Sequence, residues 1–195
     1  MPDFTPEQEL AIQAKIKLFK PFVKPGLPIE ERVRIAKEIE RAITEKRTAW
    51  YEAHKHQLPY AADPSLDKLA EALHLLFVEY MRADKVSYSQ VCDDTEAIFQ
   101  IRIESRGFCP YLEAFKRLGI NARDSAWLCQ NVLERPCQSL VERLDPRIRF
   151  SRDYRHIRPL ADSCSETLTM RNPELLERML IAAGEDPDNY PSTYQ

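Results

Sequence analysis

Three cysteines in the second half of the chain are the residues whose chemistry is most informative. Cys109 follows a predicted strand, Cys129 lies in a predicted helix and Cys164 lies on a late predicted strand. Thiolates are strong soft metal ligands and strong nucleophiles. Their spacing, roughly twenty and then thirty-five residues, matches no compact zinc knuckle. The pattern therefore predicts a small-molecule or metal site that only the tertiary fold can assemble.

Two interpretations of these cysteines stay open. In the first, the three sulfurs converge at about 2.3 Å from a metal such as zinc, with water, His156 or Glu166 as the fourth ligand. Cys109 is predicted to begin a helix, where the helix dipole would lower its pKa and favour the thiolate. In the second, the cysteines pack as small apolar residues. The cofactor is therefore unknown, with zinc or another soft-ligand metal as the candidate, and Cys92 and Cys137 are predicted to be structural.

A group of basic residues lies around one late strand. Guanidinium groups bind carboxylates and phosphates bidentately, so one or two of them would anchor an acidic ligand beside the cysteines. The alternative is a solvated strand face with ion pairs to acidic helices. His156 lies inside this group as a further candidate for substrate binding. The arginines are Arg147, Arg149, Arg152, Arg155 and Arg158.

The composition narrows the class of protein. With 195 residues, 44% hydrophobic and 30% charged, the chain can bury the core of one globular domain. A net charge of −3 argues against a general nucleic-acid binder. The absence of an eighteen-residue apolar run predicts no membrane span. The polar, acidic N-terminus is unlike a secretory signal, so we expect a cytoplasmic protein whose five cysteines are free thiols or ligands.

The order of patterns predicts an α+β fold with an N-terminal helical layer followed by an antiparallel sheet, with helices inserted between hairpins. Thr5, Pro6 and Gln8 form a capping box at the first helix. Its predicted apolar face consists of Leu10, Ala11, Ala14 and Leu18, and Ile12, Ile16 and Phe19 widen the apolar surface. The predicted helices are about 6–20, 29–56, 63–81, 110–118, 122–144 and 173–183. The predicted strands are about 86–91, 97–103, 147–152 and 164–170, with a turn at 93–95. Pro136 should kink or divide the fifth helix.

These elements predict three regions. Residues 1–84 form a helical region packing on the core, 85–184 an α+β small-molecule-binding domain, and 185–195 a loose tail. The long N-terminal helix is also the predicted surface of a homodimer.

Short motifs in the second half resemble those of a known family. They are Phe108-Cys109-Pro110, Leu128-Cys129, the stretch from Leu144 to Arg152, and Cys164-Ser165-Glu166. Together they make the stretch from Ile101 to Thr167 resemble the L-2-amino-thiazoline-4-carboxylic acid hydrolases. The stretch is more distantly similar to the small-molecule-binding domains related to 4-vinyl reductases. The resemblance covers about a third of the chain.

The resemblance implies roles for particular residues. Cys109 would be the nucleophile or a metal ligand, and Cys129 and Cys164 would be ligands or support. Arg152 would anchor a carboxylate. Glu166 is the candidate catalytic carboxylate, although it stands one residue later than the family pattern places an acidic residue. Glu104 and Glu113 flank Cys109 and could equally serve as the general base, and the spacing does not choose among the three. The family's aspartate after the second cysteine is replaced by polar or apolar residues, Gln130, Asn131 and Val132.

Two functions follow as expectations. The first is a cytosolic small-molecule-binding protein with a cysteine-lined site that hydrolyses a C–N bond of a cyclic amidine. The second is a non-catalytic binding or accessory protein for a tetrapyrrole, a metal or another small ligand, which the missing aspartate favours.

Overall fold

The computed structural model of the protein describes residues 4–62, 66–80, 86–93 and 98–171, together with 177, 181–184 and 186. Within these ranges the fold is α+β, as predicted: helices come first, and an antiparallel sheet follows with helices inserted between its two halves. The predicted start of the third helix at 63–65, the turn beyond Asp93 and most of the closing helix and tail lie outside the described residues.

Helix α1, Pro6–Phe19, begins with the predicted capping box. The Thr5 side chain accepts the backbone N–H of Gln8 at 3.3 Å, and the Gln8 side chain accepts that of Thr5 at 3.0 Å. The predicted inward face was wrong at Leu10, which is 73% exposed. The wider apolar surface is confirmed at Ile12 and Phe19, which are buried, and Phe19 packs edge-on against Phe115 with ring centroids 4.9 Å apart.

Helix α2, Ile29–His54, is the long helix that the sequence predicts, and its end passes into a short 3₁₀ turn. Three shorter helical segments follow it: α3 at Pro59–Ala62, α4 at Leu66–His74 and a π-helical turn at Leu75–Tyr80. Within the described ranges, no helix is both long enough and apolar enough to cross a membrane.

The sheet has four antiparallel strands in the order β1-β2-β4-β3. The strands are β1 Val86–Asp93, β2 Ile98–Ser105, β3 Arg149–Arg152 and β4 Cys164–Arg171. Strand β3 starts later than predicted, because Arg147 lies in a turn. The backbone N–H and the guanidinium of Arg147 both donate to Asp145, and Arg147 Nη2 lies 2.7 Å from Asp145 Oδ2.

Three helical segments separate the two halves of the sheet. They are α5 Pro110–Arg117, α6 Ala122–Leu128 and α7 Glu134–Leu144, with a π-helical turn at Cys129–Leu133 between the last two. The predicted division of this region is confirmed. Pro136 has no N–H to donate to the carbonyl of Val132, which is consistent with the irregular turn directly before it.

Two apolar clusters hold the layers together, and the N-terminal helices contribute to both. The first joins α3 and α4 to the sheet and α7, with Leu69, Leu73, Ile101, Leu140 and Leu168 among its buried members. The second joins α1 and α2 to α5 and α6, with Phe19, Ile39, Ile43, Phe115 and Leu128. The N-terminal helices thus share core with the later elements. The residue limits of the three predicted regions, and the homodimer, stay predictions.

Candidate functional site

A cavity of about 110 Å³ lies between α2, the start of α5, α7 and the sheet. The π-helical turn at Cys129–Leu133, the end of β3 and the start of β4 also line it. Four cysteines line it: Cys109, Cys129, Cys137 and Cys164. The three cysteines that the sequence singles out therefore do reach one site. A fourth, Cys137, joins them, although its position after a proline in a helix gave no sign of this. We call this space the cysteine cavity.

Cys109, Cys129 and Cys164 each lie where an element begins, whereas Cys137 lies inside α7. Cys109 is the extended residue before α5, at φ −137° and ψ 110°, with Pro110 at the first helical position. Cys129 begins the π-helical turn, and Cys164 begins β4 opposite Ser105. Element boundaries thus bring side chains that are far apart in sequence to one point.

The metal role of the cysteines gains no support from this arrangement. In the described ranges, no group of three or more histidine, cysteine, aspartate or glutamate side chains is placed to hold a metal ion. His156 lies on the surface with its side chain 63% exposed and its Nδ1 2.8 Å from Asp153 Oδ2. It does not line the cysteine cavity. The metal set of Cys109, Cys129 and Cys164, and the role of His156 in binding, stay predictions.

Burial is the largest influence on the pKa values of the Cys109 and Cys129 thiols. Burial raises the pKa of Cys109, and the opposing effects of the Leu112 N–H and of Arg158 are smaller. The expected lowering by the helix dipole is therefore wrong for this cysteine. Burial also raises the pKa of Cys129 to about 12, against the opposing charge of Arg152. Both thiols are protonated at neutral pH.

Arg152 is engaged on three sides. Its Nε donates to Glu166 Oε1 at 2.8 Å, its Nη1 to the carbonyl of Cys129 at 2.9 Å, and its Nη2 contacts Cys137 Sγ at 3.5 Å. Burial opposes its charge, yet Glu166 above all keeps the pKa of Arg152 above its ordinary value. These contacts join strands β3 and β4 to the π-helical turn at Cys129–Leu133. They occupy donors that a ligand would need, so the predicted anchoring of a carboxylate by Arg152 stays a prediction.

Arg47 is the residue of this site that sequence reasoning missed. It lies on α2 with only 7% of its surface exposed, and its Nη1 donates to Cys137 Sγ at 2.8 Å. The sequence does contain a pattern that predicts its burial. Arg47 continues the apolar stripe of Ile35, Ile39 and Ile43 at a spacing of four residues. An arginine that extends an apolar stripe is buried, whereas the charged residues around it face water.

The charge of the cysteine cavity is mostly positive. Its charged lining residues are three arginines, Arg47, Arg152 and Arg158, and one glutamate, Glu166. Arg158 donates to the carbonyl of Gly107, and its Nε lies 3.5 Å from Cys164 Sγ. The remaining wall is largely apolar, which is the usual character of a small-molecule site with a few converging polar groups.

A second cavity of about 380 Å³ adjoins the first. Arg47, Phe108, Pro110 and Tyr111 line both cavities, so these residues form the wall between them. The second cavity is bounded by α1, α2 and the start of α5. Lys15 and Lys46 also line it. We call it the helix cavity.

The chain matches no protein-family model, no curated protein and no solved structure. The resemblance to the L-2-amino-thiazoline-4-carboxylic acid hydrolases therefore stays a prediction that rests on the motifs.

Proposed function

We propose that this protein binds a small organic molecule in the cysteine cavity. The observation that carries the proposal is the convergence of four cysteines and three arginines on one mostly apolar space. A well-formed apolar pocket with a few converging polar groups is the usual form of a ligand site. An engineered cavity of about 150 Å³ accepts benzene, so a space of this size suits a group of about five non-hydrogen atoms.

A fragment screen by ligand-observed nuclear magnetic resonance tests the proposal. Cys164→Phe would fill the cavity, and Ser151→Phe, at an exposed position of β3, is the matched control. Fragments of about five non-hydrogen atoms should bind wild type and the control but not Cys164→Phe. Equal binding to all three proteins would place the fragments elsewhere and reject the cavity as the site.

Hydrolysis of a C–N bond is the second candidate function. In its favour, Cys109 and Glu166 line the same cavity, so a nucleophile and a carboxylate are available at one site. Against it, burial raises the pKa of Cys109, and Glu166 is already paired with Arg152. A thiol nucleophile would therefore need a ligand that changes this environment. Non-catalytic binding agrees better with the geometry.

The hydrolase assay uses 2-amino-thiazoline-4-carboxylic acid, the substrate that the resemblance suggests. Loss of this compound should require Cys109 and Glu166, so Cys109→Ala and Glu166→Gln should abolish it while Cys92→Ala keeps it. Turnover that survives in both site variants would rule out the assigned roles. Elemental analysis and an absorption spectrum of protein purified without chelator, with Cys109→Ser beside it, would reveal a bound metal or tetrapyrrole.

A further inference from the structure

We propose that Arg47 is the anion anchor of the cysteine cavity, and that the ligand is a small organic anion whose acidic group lies at the wall shared with the helix cavity. This inference rests on the proposed function and names the class of ligand. It moves the anchoring role from Arg152, which the sequence suggested, to a residue on α2.

The first argument is the burial of an arginine whose acidic contact is the thiol of Cys137 and not a carboxylate. Arg47 is more than nine-tenths buried. In the described part of the chain its only side-chain hydrogen bond is the one to Cys137, and no carboxylate is within ion-pair distance. A buried cation normally has a carboxylate partner, because removing a charge from water costs several kcal/mol. The arrangement is explained if the partner is supplied by the ligand.

The second argument is a comparison of the three arginines. Arg152 donates to Glu166, the Cys129 carbonyl and Cys137. Arg158 donates to the Gly107 carbonyl and approaches Cys164. A guanidinium has five N–H donors in a planar fork, and Arg47 uses one of them in the described structure. It is therefore the arginine best able to bind an oxyanion bidentately.

The third argument is position. Arg47 lines both cavities, and Lys15 and Lys46 line the helix cavity. Arg152 adds a second positive charge near Arg47, and both guanidinium groups contact Cys137 Sγ, so the positive potential beside this sulfur favours an anion. An anion at Arg47 would thus have its apolar body in the cysteine cavity and its charge towards a basic second space.

The acidic group of the proposed ligand is an oxyanion, either a carboxylate or a phosphate-type group. The cavity volume limits the body to about five non-hydrogen atoms unless the ligand continues into the helix cavity. Iodoacetate is a probe of this class, and because it alkylates cysteine, the labelled residue shows where it was bound. It is small and anionic, and iodoacetamide is its neutral counterpart of nearly equal size.

The alkylation step balances without a further reactant. The cysteine sulfur, as thiolate, attacks the methylene carbon of the probe, the C–S bond forms, the C–I bond breaks, and iodide leaves. The thiol proton passes to solvent. Because both probes react with the same thiolate, the ratio of their rates cancels any difference in thiol ionisation between variants.

The experiment compares this ratio, iodoacetate over iodoacetamide, at the four cavity cysteines by peptide mass spectrometry. Arg47→Met removes the charge, Arg47→Lys keeps it in case the first variant does not fold, and Arg41→Met is a control at an exposed position of the same helix. The ratio should fall at least about tenfold in Arg47→Met, the scale of one charge-assisted hydrogen bond, and stay unchanged in the control. Arg47→Lys should retain part of it.

Competition completes the test. Butyrate should slow labelling by iodoacetate whereas butyramide should not, and propylphosphonate in place of butyrate tells whether a phosphate-type group is preferred. A ratio unchanged in Arg47→Met would overturn the inference and leave Arg47 as a support for Cys137. If in that case butyramide and butyrate both protect the cysteines, the cavity still binds ligands. If neither probe labels any cavity cysteine even at a pH high enough to ionise the thiols, the inference and the proposed function both fail.

Discussion

Arg152 and Glu166 form a buried ion pair across strands β3 and β4, with Nε and Oε1 2.8 Å apart and both side chains close to nine-tenths buried. The two residues also face each other in the ladder of the sheet. Both residues line the cysteine cavity, and Arg152 also contacts the Cys129 carbonyl and Cys137 Sγ, so the pair helps to position these two cysteines.

Removing one member of this pair should destabilise the fold strongly. Arg152→Met leaves the Glu166 carboxylate buried without its cation, which should lower the free energy of unfolding by about 3 kcal/mol. The double variant Arg152→Met/Glu166→Leu should recover part of that loss, because no unpaired charge remains. Urea denaturation of the single and double variants measures both values. A double variant less stable than either single one would show that the pair does not act as a unit.

A second buried carboxylate, Asp145, should make stability depend on acid. Burial alone would raise the pKa of Asp145, but hydrogen bonds from Arg147 and Tyr60 together lower it. An acid with a lowered pKa in the folded state contributes stability above its unfolded pKa and loses it as the pH falls through the folded value. Asp145→Asn should therefore cost about 3 kcal/mol at neutral pH.

The pH profile of that variant distinguishes the charge from simple packing. The difference in unfolding free energy between wild type and Asp145→Asn should shrink as the pH falls below the ordinary range of a carboxyl. Tyr60→Phe is the matched control, since it removes one hydrogen bond to the same carboxylate. It should cost about 1 kcal/mol. A loss in Asp145→Asn that is equal at all pH values would contradict the electrostatic account.

The sequence was sufficient for most of the fold because its signals are local. The capping box at Thr5, the alternation around Ile101 and Ile103 and the division near Pro136 each depend on residues within one or two turns. The orientation of α1 was not local. The spacing places Leu10, Ile12 and Phe19 all on the apolar surface, and only the packing of α1 against α5 decides that Ile12 and Phe19 are buried while Leu10 is exposed.

The site was predictable only in part, for the same reason. The meeting of Cys109, Cys129 and Cys164 could be proposed from their chemistry. Their protonation could not, because desolvation depends on what the tertiary structure places around each thiol. Arg47 was hidden, since a single arginine in a charged helix resembles its exposed neighbours unless the spacing of the buried stripe is followed to its end.

The thiol of Cys129, a half-buried residue, should react slowly with neutral alkylating reagents at neutral pH. Since burial raises the pKa of Cys129 to about 12, only a very small fraction is thiolate at neutral pH, and only the thiolate reacts. The rate of modification of Cys129 by iodoacetamide should continue to rise with pH well beyond the point where a free cysteine levels off. The same peptide in unfolded protein supplies the control rate, and an early plateau in the folded protein would refute the raised pKa.

Glu134, at the start of α7, should oppose stability at neutral pH. Its Oε2 is buried without a hydrogen-bond partner in the described structure, and burial raises its pKa in spite of the nearby charge of Arg152. A carboxyl with a raised folded pKa favours the folded state at low pH and costs stability as the pH rises through the ordinary carboxyl range.

Glu134→Gln removes the charge that causes this cost. The variant should be more stable than wild type at neutral pH by up to about 1 kcal/mol, and the gain should vanish at acid pH, where Glu134 is already neutral. Thermal unfolding across the acid to neutral range measures the difference, with Glu142→Gln, at an exposed position of the same helix, as the control. A destabilised Glu134→Gln at neutral pH would mean that the Glu134 charge instead supports Arg152, so that two carboxylates, Glu134 and Glu166, balance the charge of that arginine.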